Sequence, residues 1–140
     1  MQTQHLSTYK TTIKAPVEKV WEALTDPAIV KQYFFGSDQV TDWQVGSPIL
    51  WTGEYEGTQY TDKGTVLEFI PHERLSFSYL SSWSGLEDLP ENYLRVTYEV
   101  QPAEEGTLLS ITQSNYNEEK ARHSEQNWAI VTEGLKKLVE

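Results

Sequence analysis

The chain has 140 residues, with 21 Asp and Glu against 11 Lys and Arg and a formal net charge of −10. Such a surface repels phosphate backbones and anionic lipid, so neither nucleic acid nor membrane is an expected partner; a basic protein is compatible with it, and solubility alone would also explain it. No cysteine occurs, which excludes disulfides, thiolate catalysis and a thiolate zinc site.

The N-terminal MQTQHLSTYK lacks a charged-then-apolar leader pattern, and no run approaches about 18 apolar residues, so a cytoplasmic protein is expected. Residues 6–14 alternate well enough for a first strand. Ala15-Pro16 stops it, and Pro16 suits the first turn of a helix, where a missing N–H costs little. Val17, Val20, Trp21 and Leu24 then recur at i, i+3, i+4 and i+7, one apolar face of a helix. Asp26-Pro27 ends it and caps a second short helix from Ala28 to about Phe34, whose buried side is Ile29, Val30, Tyr33 and Phe34.

From Val40 the period changes to two. Strands are expected near 39–44, 48–55, 59–70, 74–82, 92–102 and 107–116, separated by polar connectors bearing Gly or Pro. The segment Ser84 to Glu91 is the longest connector and is expected to act as a mobile rim. Asn117 is the expected N-cap of a final helix, with Glu118 and Glu119 in its first turn. Its apolar stripe is Trp128, Val131, Leu135, Leu138 and Val139. Upstream of Trp128 the same face offers only Ala121 and Ser124, with Glu125 on the margin, a taper suited to a solvent-filled opening. No repeat or linker interrupts the chain, so residues 1–140 are expected to form one domain.

The blocks WEALTDPAIVKQYF, DWQVGSPILWTG, GTVLEFIPHERLSFSY, GTLLSITQSNY and NWAIVTEGLKKL, in this order, resemble the activator of heat-shock-protein-90 ATPase homologue-like family of the START-like (SRPBCC, birch-pollen-allergen-like) superfamily. The resemblance runs from about Tyr9 to Leu138. It implies an α+β helix-grip fold: a curved antiparallel seven-stranded sheet wraps a long C-terminal helix, and two short helices follow the first strand. It implies activity only broadly, because the superfamily includes lipid and hormone binders, polyketide cyclases and aromatases, and co-chaperone activity belongs to a subset. Two positions depart from the family pattern. Tyr33-Phe34 stands where many relatives have Trp, and Gln113 stands where they often have His, which removes a titrating group.

Strand parity, judged from which positions tolerate charge, turns Trp51, Tyr55, Phe77, Tyr79, Tyr98 and Gln113 inward, facing Trp128 of the helix. These seven are the candidate ligand-binding residues. They read either as an aromatic pocket for a small hydrophobic molecule or as a plain aromatic core. The pocket is preferred because the final helix has few large apolar residues with which to fill so wide a sheet. Glu68 has two readings. It is a cavity carboxylate if Val66 and Ile70 face inward, and a solvated strand residue if Leu67 and Phe69 do.

Nothing in the sequence marks a metal site, a cofactor or a catalytic residue. His5, His72 and His123 share no ligand spacing; Glu119 and His123 are four apart, but such exposed pairs usually bind only water. No serine sits in a nucleophile elbow, and Gly57 and Gly64 read as turn or bulge glycines. The expected function is therefore the binding of a small hydrophobic or aromatic molecule in a central cavity, without demonstrable catalysis, by a monomer or weak dimer. Two alternatives stand beside it. One is a co-chaperone-like module that stimulates a heat-shock-protein-90 ATPase; the other is a polyketide cyclase-like or hydrolase activity using a cavity carboxylate, with Glu68 or Tyr98 assisting.

Overall fold

Alternating side chains need a sheet and period-3.6 side chains need helices, and the structure, a computed structural model, places both close to where the sequence does. It describes residues 5–34, 36–82 and 85–140. The elements are β1 (His5–Ile13), α1 (Val17–Thr25), α2 (Pro27–Tyr33), β2 (Asp38–Val40), β3 (Pro48–Tyr55), β4 (Thr58–Ile70), β5 (Arg74–Tyr79), β6 (Leu94–Ala103), β7 (Gly106–Asn115) and α3 (Glu118–Val139). A short 3-10 turn at Pro90–Asn92 precedes β6. The strands form one curved antiparallel sheet in the order β1-β7-β6-β5-β4-β3-β2. Hairpins link β3 through β7, while α1 and α2 carry the chain from the β1 edge to the β2 edge. This is the α+β helix-grip architecture.

Local chemistry sets the helix ends. The Asp26 carboxylate accepts from the Ala28 N–H at 2.9 Å, and Pro27 occupies the first helical position, where it needs no partner. The Asn117 side chain accepts from the Lys120 N–H at 2.8 Å, and Glu118 and Glu119 lie in the positive first turn of α3. Replacing Asn117 by Ala removes this cap. A loss of about 1 kcal/mol is expected, readable as a melting point lower by about 3 °C.

The core forms where α3 and α1 meet the concave face of the sheet. Trp128, Val131, Leu135 and Val139 of α3 pack with Val20, Trp21 and Leu24 of α1 and with Ile49, Val66, Leu75, Leu109 and Ile111 of the strands. Leu138, expected in the apolar stripe, is 41% exposed, because the stripe turns away from it at the last turn of the helix.

Three further expectations are corrected. The strand expected over 39–44 ends at Val40. Trp43 has φ +60°, which no strand accommodates, and its ring instead stacks on Phe69 at 5.5 Å. The two alternatives for Glu68 are replaced by a third. The β4–β5 register shifts between Val66 and Glu68, so Val66 and Phe69 both pack on the core while Leu67 and Ile70 stay exposed. One extra residue reverses the parity of everything after it. Gly64 lies inside β4, paired with Ile49, and not at a turn or bulge. Of the expected rim segment, Ser84 lies outside the described residues.

Candidate functional site

The taper of α3 decides where the sheet is left uncovered. Its C-terminal half carries the large apolar residues that plug one end of the concave face. Its N-terminal half presents Lys120, His123, Ser124 and Asn127, and between these and the sheet lies a cleft of about 680 Å³. Phe34 and Ser37 come from the α2 end, Trp51, Glu54 and Tyr55 from β3, and Tyr60 and Asp62 from β4. Phe77 and Tyr79 of β5, Leu94 and Val96 of β6, and Gln113 and Asn115 of β7 complete the sheet side, and Trp128 and Val131 close the inner end.

Six of the seven residues singled out from the sequence border this cleft: Trp51, Tyr55, Phe77, Tyr79, Gln113 and Trp128. Tyr55 belongs to the outer rim, where it is 61% exposed. Tyr98 is the correction. It is buried behind the wall, edge-on to Phe77 at 5.6 Å and to Trp128 at 5.7 Å. The ring row Trp51–Phe77–Tyr98–Trp128 crosses from β3 to α3, and in it Tyr98 acts as packing. Burial pushes its phenol well above the usual tyrosine range.

The polar tips of these rings are already engaged. Trp128 Nε1 donates to Gln113 Oε1 at 2.8 Å, and Gln113 Nε2 donates to Asn115 Oδ1 at 3.1 Å. An indole N–H only donates, so the bond fixes the orientation of the amide. Asn115 donates in turn to the His5 carbonyl at 2.8 Å and to Ser7 Oγ at 3.2 Å, and Ser7 Oγ donates to Ser124 Oγ at 3.2 Å. This buried network ties the first half of α3 to β1 and β7. Trp51 Nε1 donates to Gln39 Oε1 at 3.1 Å, Tyr60 Oη is 2.7 Å from Ser37 Oγ, and Tyr79 Oη donates to Asp62 Oδ2 at 2.8 Å. Burial and then the Asp62 charge hold the Tyr79 phenol well above its ordinary pKa. Gln113, one of the seven candidate ligand-binding residues, has its side-chain amide bonded to Trp128 and Asn115.

Glu68, weighed above as a cavity acid, lies on the outer face of the sheet. Its carboxylate pairs with the Arg74 guanidinium at 3.0 Å and accepts from Ser76 Oγ at 3.4 Å. A buried carboxylate that does reach the cleft is Asp62, which parity alone did not single out. Its signal was present in the turn. Glu56 and Gly57 have φ of +49° and +81°, a two-residue hairpin turn that fixes the β3–β4 register and sets Asp62 directly opposite Trp51. On α3 the taper had already marked Ser124 as facing an opening, but Lys120, His123 and Asn127 carried no comparable signal, because an exposed helix face and a cleft-lining one read alike.

Comparison with known proteins agrees with this fold. The sequence model of the family described as activator of Hsp90 ATPase homolog 1-like protein matches residues 14–140. The solution structure of ChR145 from Cytophaga hutchinsonii is similar over 99% of this chain and 95% of its own, with 45% identity and a TM-score of 0.85. The Aha1 dimer from Colwellia psychrerythraea, also a solution structure, is similar over 96% of each chain, with 23% identity and a TM-score of 0.75. DynU16, from the dynemicin biosynthetic locus, is 20% identical with a TM-score of 0.78, over 96% of this chain and 47% of its own. These last two likenesses show the fold alone. No curated protein matches.

Proposed function

The chain belongs to the activator of Hsp90 ATPase homolog 1-like family, and from that footing we propose that it binds a small hydrophobic or aromatic molecule in the cleft between α3 and the sheet. One observation carries the reading: a cleft of about 680 Å³ bordered by Phe34, Trp51, Phe77, Tyr79 and Trp128. That volume falls within the usual range of small-molecule sites, about 300–1,000 Å³. The N–H groups of the Trp51 and Trp128 indoles and the Tyr79 phenol already have hydrogen-bond partners within the protein. A ligand therefore gains chiefly by burying apolar surface against the rings, without breaking them open. A general acid or base is not required for this role.

Titration with the neutral fluorophore N-phenyl-1-naphthylamine tests the proposal. Saturable enhancement of its emission is expected, with quenching of the intrinsic tryptophan fluorescence from Trp51 and Trp128. Leu94→Trp narrows the cleft from the half-buried wall of β6 and should weaken binding at least about tenfold, the loss expected when a site can no longer enclose its ligand. Absence of saturable binding to the unmodified protein would overturn the reading. Stimulation of a chaperone ATPase, the alternative carried by the family's name, is checked by adding the protein to a heat-shock-protein-90 ATPase assay.

A further inference from the structure

The two walls of the cleft are chemically unequal, and the inequality sits where the rings are densest. Asp62 is 8% exposed and borders the cleft, opposite Trp51 in the β3–β4 register. Its oxygens act only as acceptors: Oδ2 from Tyr79 Oη at 2.8 Å, and Oδ1 from the Ser82 N–H at 2.8 Å and from Ser82 Oγ at 3.0 Å. Among the described residues it makes no ion pair; the pairs there join Lys31 to Asp38, Lys63 to Asp88, and Arg74 to Glu68 and Glu99. Three neutral donors surround this buried carboxylate, and among the described residues no cation pairs with it.

The same end is aromatic. Trp51 and Tyr79 meet edge to face at 5.2 Å. Tyr60 lies across Gly53, where a Cβ would stand 2.6 Å from its Oη. Glu54 adds a second carboxylate at the rim. Rings beside a desolvated carboxylate attract a positive charge through two additive effects, the ring quadrupole and the direct Coulomb term. Folding has already stripped water from Asp62, so a cation arriving there gains attraction without a further desolvation cost on the protein side. Among the described residues the cation that reaches the cleft from α3 is Lys120, which is exposed, where solvent and salt screen it.

The geometry points to a ligand that is apolar along most of its length and carries an ammonium group, seated beside Asp62 and against the rings of Trp51 and Tyr79. This deepens the ligand-binding reading and rests on it. Three naphthalenes that differ only in their end group provide the test: 2-(1-naphthyl)ethyltrimethylammonium, its uncharged isostere 1-(3,3-dimethylbutyl)naphthalene, and 3-(1-naphthyl)propanoate. With the unmodified protein, calorimetric dissociation constants should rank the ammonium tightest by at least about tenfold over the isostere, with the carboxylate weakest. In Asp62→Asn the ratio of ammonium to isostere should fall to within about twofold. Equal binding of ammonium and isostere by the unmodified protein would overturn the inference, as would a preference that survives Asp62→Asn. The series on the unmodified protein decides the matter even where the variant does not fold. If the isostere binds and the ammonium gains nothing, only the cation assignment fails. If N-phenyl-1-naphthylamine and all three naphthalenes leave the protein untouched, the ligand-binding reading fails and this inference with it.

Discussion

Replacing Gly64 by Ala is expected to destabilise the protein by about 3 kcal/mol or more, lowering the melting point by about 10 °C. The cause is a collision with backbone. A Cβ at Gly64 would stand 1.6 Å from the Ser78 carbonyl oxygen and 2.6 Å from its carbon. Rotating a side chain cannot relieve that contact. The neighbouring bonds fix both partners: Thr65 N–H donates to Ser78 Oγ at 2.9 Å, and Lys63 and Leu80 exchange N–H···O bonds at 2.8 and 3.2 Å. Either β5 moves away from β4, and Phe77 and Tyr79 move with it, or those bonds break. A useful contrast is Gly46, which has φ +94° and open space where its Cβ would go. There Ala meets only backbone strain, of order 1 kcal/mol. Thermal denaturation of the two variants side by side checks the argument, and equal small losses would show that β5 can yield.

Trp128→Ala is expected to act on stability and on binding together. Trp128 is 8% exposed; its ring packs edge-on to Tyr98 at 5.7 Å and lies 6.2 Å from Phe34. Truncation of a buried Trp costs about 3–5 kcal/mol, and because this ring borders a cleft that already admits solvent, about 2–4 kcal/mol is expected here. The change also deletes the inner end of the cleft and releases Gln113 Oε1 from its 2.8 Å bond. Affinity for N-phenyl-1-naphthylamine should drop at least about tenfold. Trp128→Phe separates the two contributions. It keeps an apolar ring and loses the N–H, so stability should fall by only about 1 kcal/mol, with binding held within a few-fold. Denaturant melts and fluorophore titrations on both variants check this. A Phe variant as crippled as the Ala variant would assign the effect to the hydrogen-bonded network through Asn115 and Ser7 instead of to the ring.

The elements were legible because their signals are local. Val17, Val20, Trp21 and Leu24 can share a face only on a helix, and Asp26-Pro27 and Asn117 supply the chemistry of helix starts. The inward parity of β5, β6 and β7 followed from placing Ser76, Arg95 and Ser110 outside. Two of the misses share one cause, a register or backbone change that composition does not announce. A bulge between Val66 and Glu68 moved Phe69 inward and sent Glu68 to the outer face with Arg74. A positive φ at Trp43 ended β2 early. Tyr98 had the right parity and the wrong depth, because Phe77 and Trp128 close over it.

By itself, the sequence determined the order and type of the elements, the strand faces where period two runs unbroken, and the thinning of α3 ahead of Trp128. Those are properties of neighbours along the chain, set by side-chain spacing and capping. Three-dimensional packing alone set Asp62 in the cleft wall with no cation partner among the described residues, and bonded the indoles of Trp51 and Trp128 to Gln39 and Gln113. Both depend on which strands lie side by side and how deeply each group is buried, and desolvation, not residue type, sets what a carboxylate or an N–H can still offer a ligand.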